Sequence, residues 1–380
     1  MEHSTEAISW PSLAQLFAGI PEQRKPKGLR YPLPPLLILL SVAKFCQQDT
    51  PAAITDWVRH RRDFFQEKLA LSWKRMPSAS TWQRLLSQHI PAALLDEKVG
   101  AYFQALSPAD KRFYNLDGKV LCGTVEAESE QPLHLLALQE ATTNAVVEQT
   151  ELLPGENEIS AARRLVERVP VKDKLISGDA IFAQQELSRR IVEGGGDYLW
   201  KLRANQGGLY RAAEAHFAAA TDRYLDRAWS VEKGHGRIDE RELVTSFRLA
   251  HSLEFPYLEQ VFRLKRKSLE LKSGKLSEQT IYGLTSWSVE EAGAEELLAA
   301  TRGHWGIETG LHYRRDVTFH EDACRQTRKN GGRVQAIFNN LTIGMLRKLG
   351  WENIAQARRY FEARVEEALN LILTPLPLLL

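Results

Sequence analysis

The order of the predicted elements between residues 112 and 202 restricts the possible folds of this chain more than any other feature. Three short runs of strand-forming residues come first, and a helical run, a strand, a second helical run and a fifth strand follow. The predicted strands are 113–117, 133–138, 145–150, 174–177 and 198–202, and the predicted helices are 158–169 and 184–192. The order β-β-β-α-β-α-β predicts an α/β domain, with a mixed sheet that is flanked by helices.

Different periodicities flank this region. The chain before residue 110 has apolar residues at helical spacing, which predicts an all-helical domain over residues 1–110. Strand patterns return at 229–232, 242–247, 260–264 and 279–284, and they predict a β-rich insertion at about 225–287. Helical patterns follow at 289–302, 307–313 and 335–349. We therefore expect an α/β domain over 111–350 that contains the insertion, and a C-terminal helix and tail over 351–380.

Composition excludes several classes of protein. Of the 380 residues, 43% are hydrophobic and 26% are charged, values that are typical of a globular protein rather than of a disordered or fibrous chain. The three cysteines are far apart in the sequence, which excludes a disulfide scaffold and a cysteine-based zinc site. The apolar run 33–43 contains two prolines and is too short to cross a bilayer, and no secretory signal is evident. We expect a cytoplasmic protein with no membrane association.

Local charge favours a polyanion partner more than the net charge does. The formal net charge is only +2, from 50 basic and 48 acidic residues. Basic residues nevertheless cluster in four segments, at 24–30, 59–62, 263–267 and 314–333. Each cluster by itself is most often a solvated helix face, but the four together modestly favour a partner such as nucleic acid.

Two aspartates and one glutamate are the candidate catalytic residues. Asp117 ends the first predicted strand of the α/β domain, Asp179 ends the fourth, and Glu308 lies on a later helix. In a sheet with this order the first and fourth strands can be neighbours, so the two aspartates would meet at neighbouring strand ends. Three carboxylates in one site repel each other unless cations neutralise them, and hard oxygen ligands suit Mg²⁺ or Mn²⁺.

Such a cluster is suited to phosphoryl transfer. Two divalent ions about 3.5–4 Å apart can activate an attacking oxygen and stabilise the leaving oxygen of a phosphodiester. Other interpretations stay open at this point, because an aspartate beside a glycine at a strand end is most often a turn residue, and a helical glutamate is most often solvated. His304, His312 and His320 recur every eight residues, a spacing that argues against a histidine-based zinc site.

Short motifs along nearly the whole chain resemble one family of proteins. In order they are FAGIPEQR (17–24), RYPL (30–33), ITDW (54–57), PSAST (77–81), LDGK (116–119), ENEI (156–159), SGDA (177–180), GDY (196–198), RANQ (203–206), GHGRI (234–238), RGHWGIE (302–308), LH (311–312), DVTF (316–319) and EDA (321–323). Each motif is weak by itself, but their number and order make the match specific. On these residues the chain resembles transposases of insertion sequences of the ISAs type, the group that includes the H repeat-associated proteins.

The resemblance implies a DDE catalytic domain with an RNase H-like fold, in which Asp117, Asp179 and Glu308 are the catalytic and metal-binding triad. The cofactor would be Mg²⁺ or Mn²⁺, bound as two ions. Related transposases carry an arginine four residues before the glutamate and a basic residue seven residues after it, and here those positions hold His304 and Arg315. We expect six residues to contact DNA phosphates: Lys119, Arg203, Arg237, Arg302, His304 and Arg315. His304 is mostly neutral at pH 7, and its alternative role is packing beside Trp305.

The function that follows from the resemblance is DNA transposition. A Mg²⁺-dependent enzyme would nick double-stranded DNA at the element ends, and the freed 3′-hydroxyl would then attack target DNA. The helical domain would recognise the ends, and copies of the chain would assemble as a homo-oligomer on the DNA. Two alternatives remain: a catalytically inactive relic that only binds DNA, and another RNase H-like nuclease. Strand cleavage would distinguish a transposase from the relic, and strand joining would distinguish it from the nuclease.

Overall fold

The computed structural model describes residues 12–27, 29–106, 112–125, 132–203, 206–219, 225–234, 236–324 and 329–375. The side chains of Arg112, Trp305, Glu308 and Thr309 also lie outside the described part of the chain. Parts of the sequence predictions therefore fall outside the described residues: the side chain of Glu308, motif residues 204–205 and 235, part of the basic cluster at 325–328, and the terminal segments 1–11 and 376–380.

Within these ranges the chain forms fourteen α-helices and nine strands. The helices are α1 Leu13–Ala18, α2 Leu33–Phe45, α3 Pro51–His60, α4 Arg62–Lys68, α5 Ala79–Arg84, α6 Ala92–Ala105, α7 Glu158–Val166, α8 Gln185–Glu193, α9 Gly207–Ala219, α10 Phe247–Ala250, α11 Ala294–Gly306, α12 Gly331–Lys348, α13 Ile354–Ala363 and α14 Val365–Leu373. The strands are β1 Arg112–Leu121, β2 Leu133–Glu140, β3 Val146–Glu151, β4 Lys174–Gly178, β5 Asp197–Leu202, β6 Asp226–Gly234, β7 Arg237–Ser246, β8 Gln260–Glu270 and β9 Leu276–Thr285. The described residues also contain three π-helical segments, which are Leu85–His89, Ile307–His312 and Arg314–Thr318.

The strands form one mixed sheet in the order β3-β2-β1-β4-β5-β9-β8-β7-β6. β1, β4 and β5 are parallel neighbours, whereas β2 and β3 form an antiparallel meander at one side. α7 precedes β4 and α8 lies between β4 and β5, so a helix leads into each of these two parallel strands, as the crossover connection between parallel neighbours requires. The α/β fold that the element order predicted, with a mixed sheet flanked by helices, is confirmed, and so is the RNase H-like arrangement that the resemblance implied.

β1 is longer than the sequence predicted. The expected strand ended at Gly118, but β1 continues to Leu121 because β2 pairs with it as far as Leu133. Gly118 is therefore not a turn residue. A Cβ at this position would overlap the side chains of Glu158 and His134, so the glycine permits a close approach between β1 and its neighbours.

The four strands of the predicted insertion are present, and each is longer than predicted. They do not form a separate β-structure, because β9 pairs antiparallel with β5 over Leu199–Leu202 and thereby extends the same sheet. β8, β7 and β6 then follow outward by antiparallel pairing. The sequence indicated that strands would form here, whereas their attachment to β5 depends on a contact that is distant in the chain.

Helices from both ends of the chain share one hydrophobic core. α2 has eleven buried residues among its thirteen and packs against α12, α13 and α14. A helix that is apolar on all sides must be covered all round, which explains why both terminal regions are needed to bury it. In the described ranges, no helix combines the length and the apolar character that a membrane crossing requires.

Candidate active site

The two candidate aspartates lie on neighbouring parallel strands. Leu116 of β1 is aligned with Gly178 of β4, and Gly178 is in turn aligned with Trp200 of β5. The next residue on each strand is Asp117, Asp179 and Lys201, respectively. Since directly paired residues point to the same face of a sheet, these three positions form one row across the sheet at the carboxyl end of β4.

Basic and hydrogen-bonding side chains surround Asp179. Lys201 Nζ lies 2.9 Å from Oδ1, Arg203 Nη2 lies 3.1 Å from Oδ2, and His304 Nε2 lies 3.4 Å from Oδ1. A hydrogen bond from His304 and the charge of Lys201 hold the pKa of the Asp179 carboxyl far below its usual range, although burial acts in the opposite direction. Asp179 is therefore ionised at neutral pH, as a metal ligand must be.

His304 is buried, with 2% of its surface exposed, and connects α11 to the sheet. Its Nδ1 lies 3.0 Å from Ser177 Oγ, and Ser177 Oγ donates to Asn115 Oδ1 at 2.7 Å. Asn115 Nδ2 in turn donates to the carbonyl oxygen of Gly303 at 2.9 Å. This closed network orients α11 against β1 and β4. Asn115 and Ser177 are paired with each other, and each lies two residues before one of the two aspartates in the chain.

A second histidine contacts the second aspartate. His312 Nδ1 lies 3.5 Å from Asp117 Oδ2, and Asp117 Oδ1 accepts from the Gly118 N–H at 2.9 Å. Burial lowers the pKa of His312 to about 3, with the positive charges of Arg315 and Lys119 acting in the same direction. His312 is therefore a neutral imidazole at neutral pH.

The helical stretch formed by α11 and the following π-helical segment Ile307–His312 thus contacts both aspartates. Glu308 lies midway between the two histidines in the chain, in the π-helical segment Ile307–His312. Among the described side chains, no group of three or more His, Cys, Asp and Glu is arranged to hold a metal ion. The predicted third carboxylate, on Glu308, is not in that set. The carboxylates of Asp117 and Asp179 are oxygen donors of the kind that Mg²⁺ and Mn²⁺ prefer, so the donor chemistry fits a divalent ion.

Three of the six predicted DNA contacts are buried inside the protein. Lys119 is 8% exposed, and its Nζ lies 2.6 and 2.8 Å from the two carboxylate oxygens of Asp316. Arg315 has no exposed surface, and its Nε donates to Glu321 Oε2 at 2.7 Å. A phosphate contact requires an exposed cation, so for Lys119, Arg315 and the buried His304 the structure instead indicates a role in positioning their neighbours.

The other three predicted DNA contacts are exposed. Arg203 has 71% of its side chain exposed while it reaches Asp179. Arg302, on α11, pairs with Glu232 of β6, and both side chains lie at the surface. Arg237 lies at the start of β7, with Nε 3.4 Å from Asp239 Oδ2. Phosphate contact by these three residues stays a prediction.

Sequence reasoning missed Lys201 and His312. Lys201 is the single basic residue of β5 and lies between the apolar residues Trp200 and Leu202, and a cation at this position could have identified it. The eight-residue spacing of the histidines argues against a zinc site, but it carries a second signal. The relevant signal was that Glu308 lies midway between His304 and His312, which places one histidine about one helical turn to either side of it.

Comparisons with known proteins agree with the resemblance in the sequence. A family model described as a transposase DDE domain matches residues 141–345, and a model described as DDE_Tnp_1-associated matches residues 14–102. The "H repeat-associated putative transposase YhhI" of Escherichia coli K12 is 25% identical over 343 residues, 88% of this chain and 90% of that protein. The "Putative transposase YncI" of Escherichia coli O157:H7 is 24% identical over 347 residues, 90% of this chain and 88% of that protein. Among solved structures, a piggyBac transposase synaptic complex with hairpin DNA is similar over 94% of this chain and 75% of that one, with a TM-score of 0.43 and 12% identity.

Proposed function

The chain belongs to the family of transposases with a DDE domain, and from this premise we propose that it cuts DNA at the ends of an insertion sequence and joins them to target DNA. Members of this family are DNA transposases and metal-dependent enzymes, and the chain is one of them. The proposal concerns the residues, the metal and the reaction steps. We propose Asp117, Asp179 and Glu308 as the catalytic and metal-binding triad and two Mg²⁺ ions, or Mn²⁺, as the cofactor.

One observation carries the residue assignment. Asp117 and Asp179 share a row at adjacent parallel strands, and the helical segment with Glu308 is held against that row by His304 and His312. A surface turn would not require two histidines, eight residues apart in the chain, to contact two aspartates on separate strands. The arrangement instead fits a site in which three acidic groups from distant parts of the chain must be held close together despite their mutual repulsion.

Each residue of the site has a distinct role in this proposal. Asp117, Asp179 and Glu308 would hold the ions, which when bound supply the Lewis acidity and positive charge for in-line displacement at a phosphodiester. His304 orients the Asp179 carboxylate through its Nε2, and His312 orients Asp117. Lys201 neutralises Asp179 from within the sheet. Arg203, which is exposed beside the same carboxylate, would contact the phosphate of bound DNA.

The reaction consists of two displacements of the same type. In the first, a water oxygen forms a bond to phosphorus and the bond from phosphorus to the 3′ oxygen breaks, which leaves a 3′-hydroxyl and a 5′-phosphate. In the second, that 3′-hydroxyl oxygen bonds to a target phosphorus and the target 3′ oxygen leaves. In each step the attacking group loses one proton and the leaving oxygen gains one. No covalent bond between protein and DNA is formed, so no serine or tyrosine nucleophile is needed.

The remaining parts of the proposal concern partners and location. Double-stranded DNA is the partner, and we propose that copies of the chain act together on paired element ends in the cytoplasm. Recognition of the ends by the N-terminal helices is supported by exposed basic residues such as Arg59 and Arg62 on α3 and α4. Exchanging both for alanine should weaken binding to end-containing DNA more than binding to unrelated DNA. Equal weakening on the two DNAs would contradict end recognition by these helices.

A cleavage assay tests the proposal. Purified full-length protein is incubated with labelled DNA that carries the gene's own flanks, with Mg²⁺, with Mn²⁺ or with EDTA. Asp117→Asn, Asp179→Asn and Glu308→Gln should each abolish nicking and joining while DNA binding persists. Asp173→Asn is the matched control, because Asp173 is an exposed aspartate in the turn before β4 whose positive φ of 57° asparagine also tolerates.

Each outcome has a defined meaning. Metal-dependent nicking and joining that the three variants lose and the control retains would support the transposase and its triad. DNA binding without cleavage by the unmodified protein would favour an inactive relic. Cleavage without a joined product would favour a nuclease. Unchanged cleavage by any of the three variants would show that its residue is not part of the triad.

A further inference from the structure

Strands β6 to β9 extend well beyond the carboxyl end of β5, the end of the sheet at which the aspartates lie. The last residue pair between β5 and β9 joins Leu202 to Tyr282, whereas β9 begins at Leu276, six residues further from the centre of the sheet. At about 3.3 Å per residue, the strands project about 20 Å past the end of β5. We call the projecting part, residues 228–243 and 264–281, the β-arm.

The β-arm projects on the same side as the active site. β9 is antiparallel to β5, so its first residues lie beyond the carboxyl end of β5, the end near which Asp179 and Lys201 lie. Lys201 is paired with Gly283, and Gly283 with Phe262, so the row of the aspartates continues into the strands that carry the β-arm. The β-arm therefore lies beside any DNA that extends from the aspartates past the carboxyl end of β5.

Two hairpin turns form the tip of the β-arm and are bonded to each other. The Leu271 N–H donates to the carbonyl oxygen of Gly236 at 2.8 Å, which joins the turn between β8 and β9 to the turn between β6 and β7. Gly236 and Gly274 have φ of 74° and 68°, the left-handed conformation that glycine adopts without strain in such turns. The tip is therefore one structural unit, although its residues come from two separate hairpins.

The tip carries an excess of positive charge. Four basic residues, Lys233, Arg237, Lys272 and Lys275, are exposed there, against the single acidic residue Glu270 among residues 233–237 and 270–275. Of the four, Arg237 is paired with Asp239 just below the tip, which leaves the three lysines as the excess charge. Glu270 Oε2 already accepts a hydrogen bond from Ser273 Oγ at 2.5 Å. The face of the β-arm below the tip differs, because its arginines are matched by carboxylates: Arg241 pairs with Glu232 and Asp239, and Arg266 with Asp239.

We infer that the tip of the β-arm binds the phosphate backbone of double-stranded DNA about six base pairs from the reacting phosphodiester. A reach of about 20 Å corresponds to about six base pairs at about 3.4 Å per base pair. Lysine ammonium groups on exposed turns are point charges that bind phosphates without reading sequence. The inference rests on the proposed function, since it requires DNA at the aspartates. It assigns a DNA contact in addition to those proposed for Arg203 and for the N-terminal helices.

The test combines a variant of the tip with DNA fragments of different length. Lys272→Gln with Lys275→Gln removes two exposed charges from the tip. Lys172→Gln with Arg189→Gln is the matched control, because both residues are exposed and Lys172 precedes β4 at the opposite edge of the sheet. Affinity of the full-length proteins is measured in EDTA over a range of salt concentrations. The fragments carry the gene's own flanks and extend either three or fifteen base pairs beyond the element boundary, on each side in turn.

The tip variant should bind the long fragments about tenfold more weakly than the unmodified protein, or about threefold per lost contact. Its plot of log affinity against log salt concentration should be shallower by about two, since each lost phosphate contact removes about 0.9. On fragments shortened on the side that faces the tip, the variant and the unmodified protein should bind equally. The control variant should match the unmodified protein on every fragment.

Several results would overturn the inference. Equal weakening on long and short fragments would show a general charge effect with no defined reach, and unchanged affinity on all fragments would show that the tip does not touch DNA. Both results leave the proposed function intact if the unmodified protein still cleaves and joins DNA. Absence of DNA binding by the unmodified protein would instead contradict the proposed function itself. Melting temperatures of the variants establish that each is folded.

Discussion

Replacing His304 by leucine tests the most specific feature of the site. The substitution removes the contact of Nε2 with Asp179 Oδ1 at 3.4 Å and the contact of Nδ1 with Ser177 Oγ at 3.0 Å. A hydrogen bond to a charged group contributes about 1.5–3 kcal/mol, and the length of the Asp179 contact points to the lower end of this range. Since about 1.4 kcal/mol is a factor of ten in rate, the nicking rate should fall at least about tenfold.

Two amides separate a positioning role from simple packing. The amide nitrogen of glutamine reaches about as far as the Nε2 of histidine, whereas that of asparagine lies near the Nδ1 position. His304→Gln should therefore restore the contact with Asp179, and its rate should stay within about threefold of the unmodified protein, given a restored bond of about 1 kcal/mol. His304→Asn retains only a partner for Ser177, and its rate should resemble that of the leucine variant.

The assay is single-turnover nicking of end-labelled DNA with Mg²⁺, accompanied by calorimetric titration with Ca²⁺ in the absence of DNA. The calorimetric readout reports directly on Asp179 as a ligand and does not depend on the chemical step. Melting temperatures show whether a variant is folded. Equal losses for glutamine and asparagine, or full activity and unchanged Ca²⁺ affinity in a folded leucine variant, would refute the positioning role of His304.

Three further predictions follow from contacts elsewhere in the structure. Lys201→Met removes a positive charge 2.9 Å from Asp179, and the repulsion between that charge and a bound cation is about 1.4 kcal/mol or more. The variant should therefore bind Ca²⁺ about tenfold more tightly in calorimetry, and weaker binding would contradict a metal ion at Asp179. Gly283→Ala should lower the melting temperature by several degrees, because a Cβ there would overlap the buried ring of Phe262 on β8 and overpacking costs about 1–3 kcal/mol. An unchanged melting temperature would refute the close approach between Gly283 and this ring. A thiol reagent should modify the exposed Cys122 rapidly in the native protein, and it should modify Cys46 only after unfolding. The reason is that burial raises the pKa of the Cys46 thiol to about 12. Rapid modification of Cys46 in the native protein would show instead that this thiol is accessible.

The elements of the α/β region were predictable because their signals are local. The five strand patterns and the two helices between 112 and 202 report on which residues alternate or repeat along a short stretch of chain. The order of those elements then implied that the first and fourth strands could be neighbours, and β1 and β4 are. The main local error was Gly118, where a glycine needed for a close approach was interpreted as the end of a strand.

The roles of the charged residues were predicted less well. Lys119 and Arg315 were expected to contact DNA from their position relative to the motifs, but both are buried, and they pair with Asp316 and Glu321 respectively. A basic side chain has the same appearance in the sequence whether it faces solvent or a carboxylate nearly 200 residues away. Burial of a charge is decided by the partner, and the partner is supplied by the fold.

The sequence by itself therefore determined the succession of helices and strands between 112 and 202, the α/β class of the domain and the choice of candidate carboxylates, since these depend on residue type and on periodicity within one element. Only the tertiary structure decided that β9 joins β5, that His304 and His312 contact Asp179 and Asp117, and that two hairpin tips meet beyond the active-site edge. These arrangements join residues that are distant in the chain. Their stability comes from burial and from the pairing of charges in three dimensions, and no local pattern records them.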